Sequence, residues 1–367
     1  MNRKTRGMLR QLKEIITKIV AGANIVIALT MIATGFAGYI QPESHPYLAT
    51  SGLLFPVFLA ANTVFLVFWI FFRWRMAVIP VAGYLAAFVP ISVYMPLNTT
   101  KEPPQGAIKI LSYNVKNYNG LPEHENPCEE IIEYLKNDKP DIVCFQEDVD
   151  MKSKIKPRMD SLFAHTDTTY VGDYSTHGNA LGIYTRFPIL RKERINYPSK
   201  GNGSVAYYLK IKGDTVIVIN NHFESNHLLP DERQRYKEML KGEMAQDTAR
   251  KESKKLLHKL SEAAKTRAAQ ADSVYNYIVS HQNYPIIVCG DFNDTPVSYT
   301  RRMMAKNLTD CYAATGRGIG LSYNQKGFYV RIDNIMCSRH FEPFGCKVDS
   351  KIKASDHYPI YCWLKMR

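Results

Sequence analysis

Three long stretches without a charged side chain constrain this chain more than anything else in it. Ile19 to Ile40, Leu53 to Phe72 and Met76 to Leu97 each approach the roughly 20 apolar residues that carry a helix across a bilayer. In hydrocarbon the backbone must satisfy its own hydrogen bonds, so such runs predict transmembrane helices. A cleaved signal peptide is the rival reading of the first run, which has a basic start and small residues near its end. Its apolar part exceeds the ~7–15 residues of such peptides, and two further runs follow. The expectation is therefore a membrane anchor over residues 1–100, with helices at 19–40, 53–72 and 76–97.

The basic side chains give the anchor a direction. Arg3, Lys4, Arg6, Arg10, Lys13 and Lys18 precede the first run, the loop from Gln41 to Gly52 has no Lys or Arg, and Arg73 and Arg75 flank the next short loop. Positive charge stays inside, so the third run delivers Asn98 to the outer side. This predicts a multi-pass protein of the cell (inner) membrane. A short stiff linker at 101–105, with Pro103 and Pro104, would hold the rest of the chain on the extracytoplasmic face. No Asp, Glu, Lys, Arg or His lies within the three runs, which reads as an anchor and not a transport path.

Residues 106–367 alternate strand-like and helix-like patterns and are numerous enough for a two-sheet α/β core. The whole chain carries a formal charge of +13; 8 basic and 2 acidic residues fall in the first 100, which leaves +7 for the remainder. That excess favours polyanions or anionic surfaces without choosing between them. The 7 cysteines show no C-x-x-C pair, so neither a zinc site nor a disulfide framework is implied.

Within this part several apolar strands end in polar side chains, and in layered α/β folds such ends gather ligands. Ile108 to Asn114 ends in Asn114; Asp141 to Glu147 ends in Glu147. Thr215 to Asn220, the second arm of a hairpin turned at Gly213-Asp214, leads into His222. Pro285 to Cys289 leads through Gly290 to Asp291 and Asn293, which point to one side if the extended geometry continues. Phe328 to Asp333 is a further aromatic and β-branched strand, and Ser355-Asp356-His357 introduces the last one. Gly178 to Tyr184 adds a strand, and Pro127 to Asn137 a helix. Oxygen ligands such as Asn114 and Glu147 suit magnesium, while a His beside Asp residues suits proton transfer. The charged helical stretch from Pro230 to Ser280 reads as a solvated face with opposite-charge pairs. Near its end Arg267 and Gln270 are placed to fix helix to sheet.

Taken in order, Ser112-Tyr113-Asn114, Phe145-Gln146-Glu147, Asn220-Asn221-His222, Gly290-Asp291-Phe292-Asn293, Arg331-Ile332-Asp333 and Ser355-Asp356-His357 resemble the endonuclease/exonuclease/phosphatase superfamily. That group includes deoxyribonuclease I-like enzymes, abasic-site endonucleases, neutral sphingomyelinases and inositol-polyphosphate 5-phosphatases. The resemblance covers residues 106–367. It implies a four-layer α/β sandwich, two mixed sheets face to face with helices outside, and metal-dependent hydrolysis of a phosphate ester. It also implies roles: Glu147 as the main ligand of Mg2+ (or Mn2+), with Asn114 beside it and Asp356 completing the acidic cluster. Asp291 would orient and deprotonate water, Asn293 and His222 would hold phosphoryl oxygens, and His357 paired with Asp333 would stabilise the pentacovalent phosphorus or assist proton transfer. Two departures stand out. Asn334 occupies a position where relatives often carry an aromatic residue or His, and the charged insertion between His222 and Arg267 is longer than in compact nucleases.

The reading is thus a membrane-anchored, magnesium-dependent phosphodiesterase of nuclease-like chemistry. Nucleic acid and a phospholipid or sphingolipid headgroup compete as substrate. A non-catalytic membrane scaffold is the alternative of another class, disfavoured because a scaffold needs none of Glu147, Asp291, Asn293, Asp333 and His357. Apart from the bilayer and the substrate, no partner is implied.

Overall fold

In the computed structural model the described residues are 3–121, 126–149, 155–171, 179–199, 201–226, 228–325 and 330–367. The amino-terminal part is helical: α1 (Arg3–Gly35), the short α2 (Pro46–Thr50), α3 (Phe55–Phe72), α4 (Val78–Ala86) and α5 (Phe88–Tyr94). Two helical stretches, Gly7–Gly35 and Pro46–Phe72, are long and apolar enough to cross a membrane. The third apolar run is not one straight helix. It bends by 69° between Ala86 and Phe88, so the count is two spans, or three if the bent pair is one. Pro80 and Pro90 fall within this run, and a proline interrupts the hydrogen-bond ladder of any helix that continues through it. The first run likewise ends as an α-helix at Gly35, not Ile40. A polar knot joins these helices: Asn24 Nδ2 donates to Asn62 Oδ1 at 3.3 Å, Trp69 Nε1 to Asn24 Oδ1 at 3.0 Å, and Asn62 Nδ2 to the Pro80 carbonyl at 3.1 Å. In an apolar surround, mutual bonding of this kind is what holds helices together.

Beyond residue 106 two mixed six-stranded sheets face each other. Their strands in chain order are β1 (Ile108–Asn114), β2 (Ile142–Gln146), β3 (His165–Tyr170), β4 (Ala180–Thr185), β5 (Ile189–Ile195), β6 (Gly203–Ile211), β7 (Asp214–His222), β8 (Ile286–Asp291), β9 (Thr309–Asp310), β10 (Asp333–Cys337), β11 (Phe341–Val348) and β12 (Ile360–Met366). One sheet runs β11-β12-β1-β2-β4-β3 and the other β5-β6-β7-β8-β10-β9. In each the central pair, β1 with β2 and β7 with β8, is parallel and its neighbours are antiparallel. The helices are α6 (Pro127–Asp138), α7 (Lys156–Leu162), α8 (Pro230–Lys241), α9 (Gln246–Ser280), α10 (Tyr299–Met304) and α11 (Cys311–Thr315).

Burial explains the layering. Alternate residues of β1, β2, β6, β7 and β8, among them Ile110, Ile142, Tyr207, Val218 and Ile287, form a core between the sheets. Their neighbours face outward: Ala271, Val274 and Ile278 of α9 cover Ile217, Ile219 and Val288, while Ile131, Ile132 and Leu135 of α6 cover Leu111, Val143 and Phe145. The expected four-layer order of helix, sheet, sheet, helix follows.

The strand expected to end in Asn114 does so, the one expected over Asp141–Glu147 is one residue shorter at each end with Glu147 just beyond it, and α6 matches the expected helix closely. Three expectations need correction. The strand expected over Phe328–Asp333 instead begins at Asp333; Phe328 and Tyr329 lie outside the described residues, as does Gly178 of another expected strand. The charged stretch divides into α8 and α9 at Gly242, whose φ of 71° is one that glycine adopts without strain. Finally, β8 stops at Asp291 and Asn293 has φ 51°, so the extended geometry does not carry through to Asn293.

The two parts are also packed together, not merely strung on residues 101–105. A Cβ on Gly38 would meet the carbonyl oxygens of Val297 and Ser298 at 2.7 Å, so only glycine permits that approach. Asn98 Nδ2 donates to the carbonyls of Ala313 and Gly316 at 2.9 and 3.0 Å. Arg331, fully buried and stacked over Tyr312, donates to the Val93 carbonyl at 2.7 Å, the Ile319 carbonyl at 2.6 Å and the Tyr94 carbonyl at 3.4 Å. Val93 and Tyr94 end α5, where unpaired carbonyls and the helix dipole favour a cation.

Candidate active site

The strand ends converge. Asn114 closes β1, and its Nδ2 donates both to Glu147 Oε1 at 3.1 Å and to Asp291 Oδ2 at 3.2 Å. Glu147 follows β2 with φ 53° and Asn293 follows β8 with φ 51°. For residues other than glycine this left-handed region costs ~1–3 kcal/mol and persists where the surroundings impose it. His222, last in β7, brings Nε2 to 3.7 Å from Asp291 Oδ2 and 3.9 Å from Glu147 Oε1. His357 presents Nε2 3.7 Å from Asp291 Oδ2, and its Nδ1 lies 2.9 Å from Asp333 Oδ2. Seven of the eight sequence-derived residues therefore line one buried site or its immediate wall. The eighth, Asp356, is at its edge, with Oδ2 3.8 Å from Lys116 Nζ, and raises the pKa of the nearby Glu147 carboxyl.

The register explains the convergence. Asp333 pairs with Asp291 and Asn334 with Gly290 across β10 and β8, while His222 pairs with Asp291 across β7 and β8. Gly290 has φ 131°, and a Cβ there would come within 1.9 Å of the Asn221 carbonyl oxygen. Only glycine therefore allows β8 to run this close to β7 just before Asp291. Asn293 turns back: its backbone N–H donates to Asp291 Oδ1 at 2.8 Å and its Nδ2 to the Phe223 carbonyl at 2.9 Å.

The electrostatics follow from burial. Burial raises the Glu147 carboxyl above its usual value, partly offset by the Asn114 amide. Burial likewise pushes Asp291 up to about 7, the nearby His357 working against this and Asp333 with it. For His357 burial alone would favour the neutral ring, yet Asp333 and Asp291 outweigh it and carry its pKa up to about 10. Asp333 Oδ1 has no hydrogen-bond partner among the described residues although it is buried.

Crowded acids of this kind are the donor set of a divalent cation, and they fit one: Glu147, Asp291, Asp333 and Asp356 outnumber the neighbouring His357 and Lys116, and a buried carboxylate oxygen lacks a partner. Asp291, Asp333 and His357 bring ligand atoms within 4.8 Å of one another. Glu147 and Asn114, joined to Asp291 through the Asn114 amide, add further oxygen donors to the same cluster.

Several supporting residues lie outside the sequence-derived set, although Asn220 stands in one of its motifs and Arg233 in the charged stretch. Asn179 Nδ2 lies 2.7 Å from His222 Nδ1 and so fixes that ring. Asp148 anchors the backbone just after Glu147, through Tyr184 at 2.6 Å, Thr168 at 3.0 Å and the Tyr118 hydroxyl. Asn220 crosses between the sheets, its Oδ1 accepting from Gln146 Nε2 at 2.7 Å and its Nδ2 donating to the Phe145 carbonyl at 2.9 Å. Ser322 Oγ accepts from the backbone N–H groups of Ile332 and Asp333. Arg233 from the charged insertion reaches Tyr323 at 2.9 Å, and that ring stands edge-on to His357 at 5.1 Å. As expected, Arg267 and Gln270 tie α9 to the loop after β7: Arg267 donates to the Glu224 carbonyl at 3.0 Å, and Gln270 accepts from the Glu224 N–H at 2.8 Å.

Fold and site together define a metal-dependent hydrolase of phosphoric esters. The chain belongs to the endonuclease/exonuclease/phosphatase family, whose model matches residues 111–357. Residues 17–94 match a domain of unknown function, DUF8431. Among solved structures it is similar to the catalytic domain of human Nocturnin with bound sulfate (17% identity, 74% of this chain and 97% of that one, TM-score 0.53). It is similar also to a mannosyl-6-phosphatase from Bacteroides thetaiotaomicron (19% identity, 71% and 100%, TM-score 0.51). Truncated TDP2 from Caenorhabditis elegans is another (17% identity, 72% and 99%, TM-score 0.50). At these identities the likeness is one of fold. No curated protein matches the chain.

Proposed function

We propose that this protein is a membrane-anchored, magnesium-dependent phosphodiesterase, with residues 1–100 as the anchor, 106–367 as the catalytic part and 101–105 between them. The observation that carries this reading is a continuous chain of contacts, Asn114 to Glu147 and to Asp291 at 3.1 and 3.2 Å and His357 to Asp291 and to Asp333 at 3.7 and 2.9 Å. Glu147, Asn114 and Asp356 would hold Mg2+, with Mn2+ as a substitute. When bound, the ion offsets the negative charge of the phosphoryl group and the surrounding acids. Asp291 accepts the proton of the attacking water; its raised pKa makes it a competent base near neutrality. His222 and the remaining N–H of Asn293 Nδ2 hold non-bridging oxygens. His357, oriented by Asp333 and held as imidazolium, stabilises charge on phosphorus and gives a proton to the departing oxygen. Phosphoryl transfer depends mainly on such positioning and charge neutralisation.

The basic catalytic part keeps a nucleic-acid phosphodiester as a candidate substrate. A phospholipid headgroup gains support from one specific contact. The loop after Asp291 packs its Val297 and Ser298 backbone on Gly38 at the end of the first apolar run, which puts the catalytic end of β8 beside the membrane part. The purified full chain should be assayed with Mg2+ on bis-p-nitrophenyl phosphate, DNA and RNA oligonucleotides, and choline phospholipid vesicles. At least one should be hydrolysed, with activity lost on chelation and in Glu147→Ala. Undiminished turnover after chelation would overturn the metal assignment.

A further inference from the structure

The membrane part and the catalytic part meet along α9. On one side of α2, Tyr47 and Leu48 are 52% and 57% exposed; on the other, Ala49 and Thr50 are buried. Exposed Tyr and Leu at the start of the second apolar stretch, Pro46–Phe72, suit the headgroup layer, where amphipathic rings concentrate. α2 packs on α9, with Tyr47 Oη 3.4 Å from His258 Nδ1. From that contact α9 continues to its start at Gln246, about 18 Å away at ~1.5 Å per residue. Lys254, Lys251 and Arg250 precede His258 by four, seven and eight residues, so helical spacing puts them on the face that meets α2. All three are exposed, and among the described residues none of them has an ion-pair partner. Glu252 pairs with Lys255 at 3.0 Å and Arg235 at 3.6 Å, and Glu232 with Lys259 at 2.6 Å, so between Gln246 and His258 the one acid on this face is Asp247, against three cations. Leu257, 42% exposed, adds an apolar side chain beside this basic row.

An unbalanced basic helix face, continuous with a segment at headgroup depth, is complementary to one class of surface. We infer that this face of α9 lies on the bilayer and binds anionic phospholipid headgroups. The inference rests on the reading of α1 and α3 as membrane spans. It also gives the charged insertion a function. α8 is held to α9 through Glu232, and its Arg233 reaches the tyrosine beside His357, so a lipid-docked α9 fixes the active-site rim at the membrane surface.

The test uses the full chain in nanodiscs of phosphatidylcholine alone or mixed with phosphatidylglycerol, followed by amide hydrogen exchange over residues 246–256. With the anionic lipid at low salt, exchange should slow about tenfold, the effect of one or two surface cations engaging headgroups. The slowing should vanish at high salt and in the Arg250→Glu/Lys251→Glu/Lys254→Glu variant. That variant should hydrolyse bis-p-nitrophenyl phosphate as the parent does, which separates lost docking from a damaged fold. Equal exchange in both lipids would overturn the inference, as would salt-sensitive oligonucleotide binding by this face with no lipid effect. Release of the chain from membranes by alkaline carbonate would instead overturn the membrane-span reading beneath it.

Discussion

Replacing Asp333 by Asn isolates what holds the charge on His357. The carboxylate Oδ2 lies 2.9 Å from Nδ1, and the two side chains are 0% and 6% exposed. At that separation and an effective dielectric of ~20 the attraction is about 6 kcal/mol, equivalent to about four pH units. Asp291 still faces the other ring nitrogen at 3.7 Å and retains part of the effect. Burial now acts with less opposition and favours the neutral ring. In the parent the protonated ring is lost only as pH rises through about 10, so activity should fall on that alkaline limb. In Asp333→Asn the limb should move down by about four pH units, to about pH 6, with kcat/KM at about pH 9 reduced about 1,000-fold. The assay is a pH–rate profile on bis-p-nitrophenyl phosphate at saturating Mg2+, with a circular-dichroism melt to confirm folding. An alkaline limb that stays at its original pH in the folded variant would refute the assignment of Asp333 as the group that charges His357.

Three further outcomes are expected. On the acid side, kcat/KM should rise as Asp291 loses its proton, near pH 7 at limiting metal, because burial raises that carboxyl and only its ionised form accepts a proton; a profile flat from pH 5 to 8 would exclude it as the base. Glu147→Gln, which keeps the size of the side chain but not its charge, should lower kcat/KM by about 1,000-fold or more and weaken Mn2+ binding in a titration. Arg331→Met should lower unfolding stability of the full chain in detergent by about 3 kcal/mol, since three carbonyls, one of them buried, lose a charged donor, and a thermal melt reads this directly.

Much of the site was legible because it is written in strand ends. A short apolar run followed by Asn114, Glu147 or Asp291 marks its own boundary, and the β periodicity of those runs survives in the fold. What the sequence did not reveal depends on contacts between distant segments. Asn179 and Ser322 act through a ring nitrogen and two backbone N–H groups that no local pattern encodes. The turn at Asn293 depends on a side chain drawn back to the Phe223 carbonyl, which propensity cannot anticipate. Length and hydropathy identify the third apolar run but say nothing of the 69° bend at Ala87. Arg331 looked like one residue of a strand; its grip on the end of α5 needs 237 residues of chain to close.

The central claim is that Glu147 and Asn114 mark the place of a divalent cation beside Asp291 and His357. Anomalous scattering from crystals of the full chain soaked in Mn2+ tests it most directly. The account predicts a peak in contact with the Glu147 carboxylate, reduced or lost in Glu147→Gln. A strong peak elsewhere with none in this pocket, in a protein that still hydrolyses phosphodiesters with Mn2+, would contradict it.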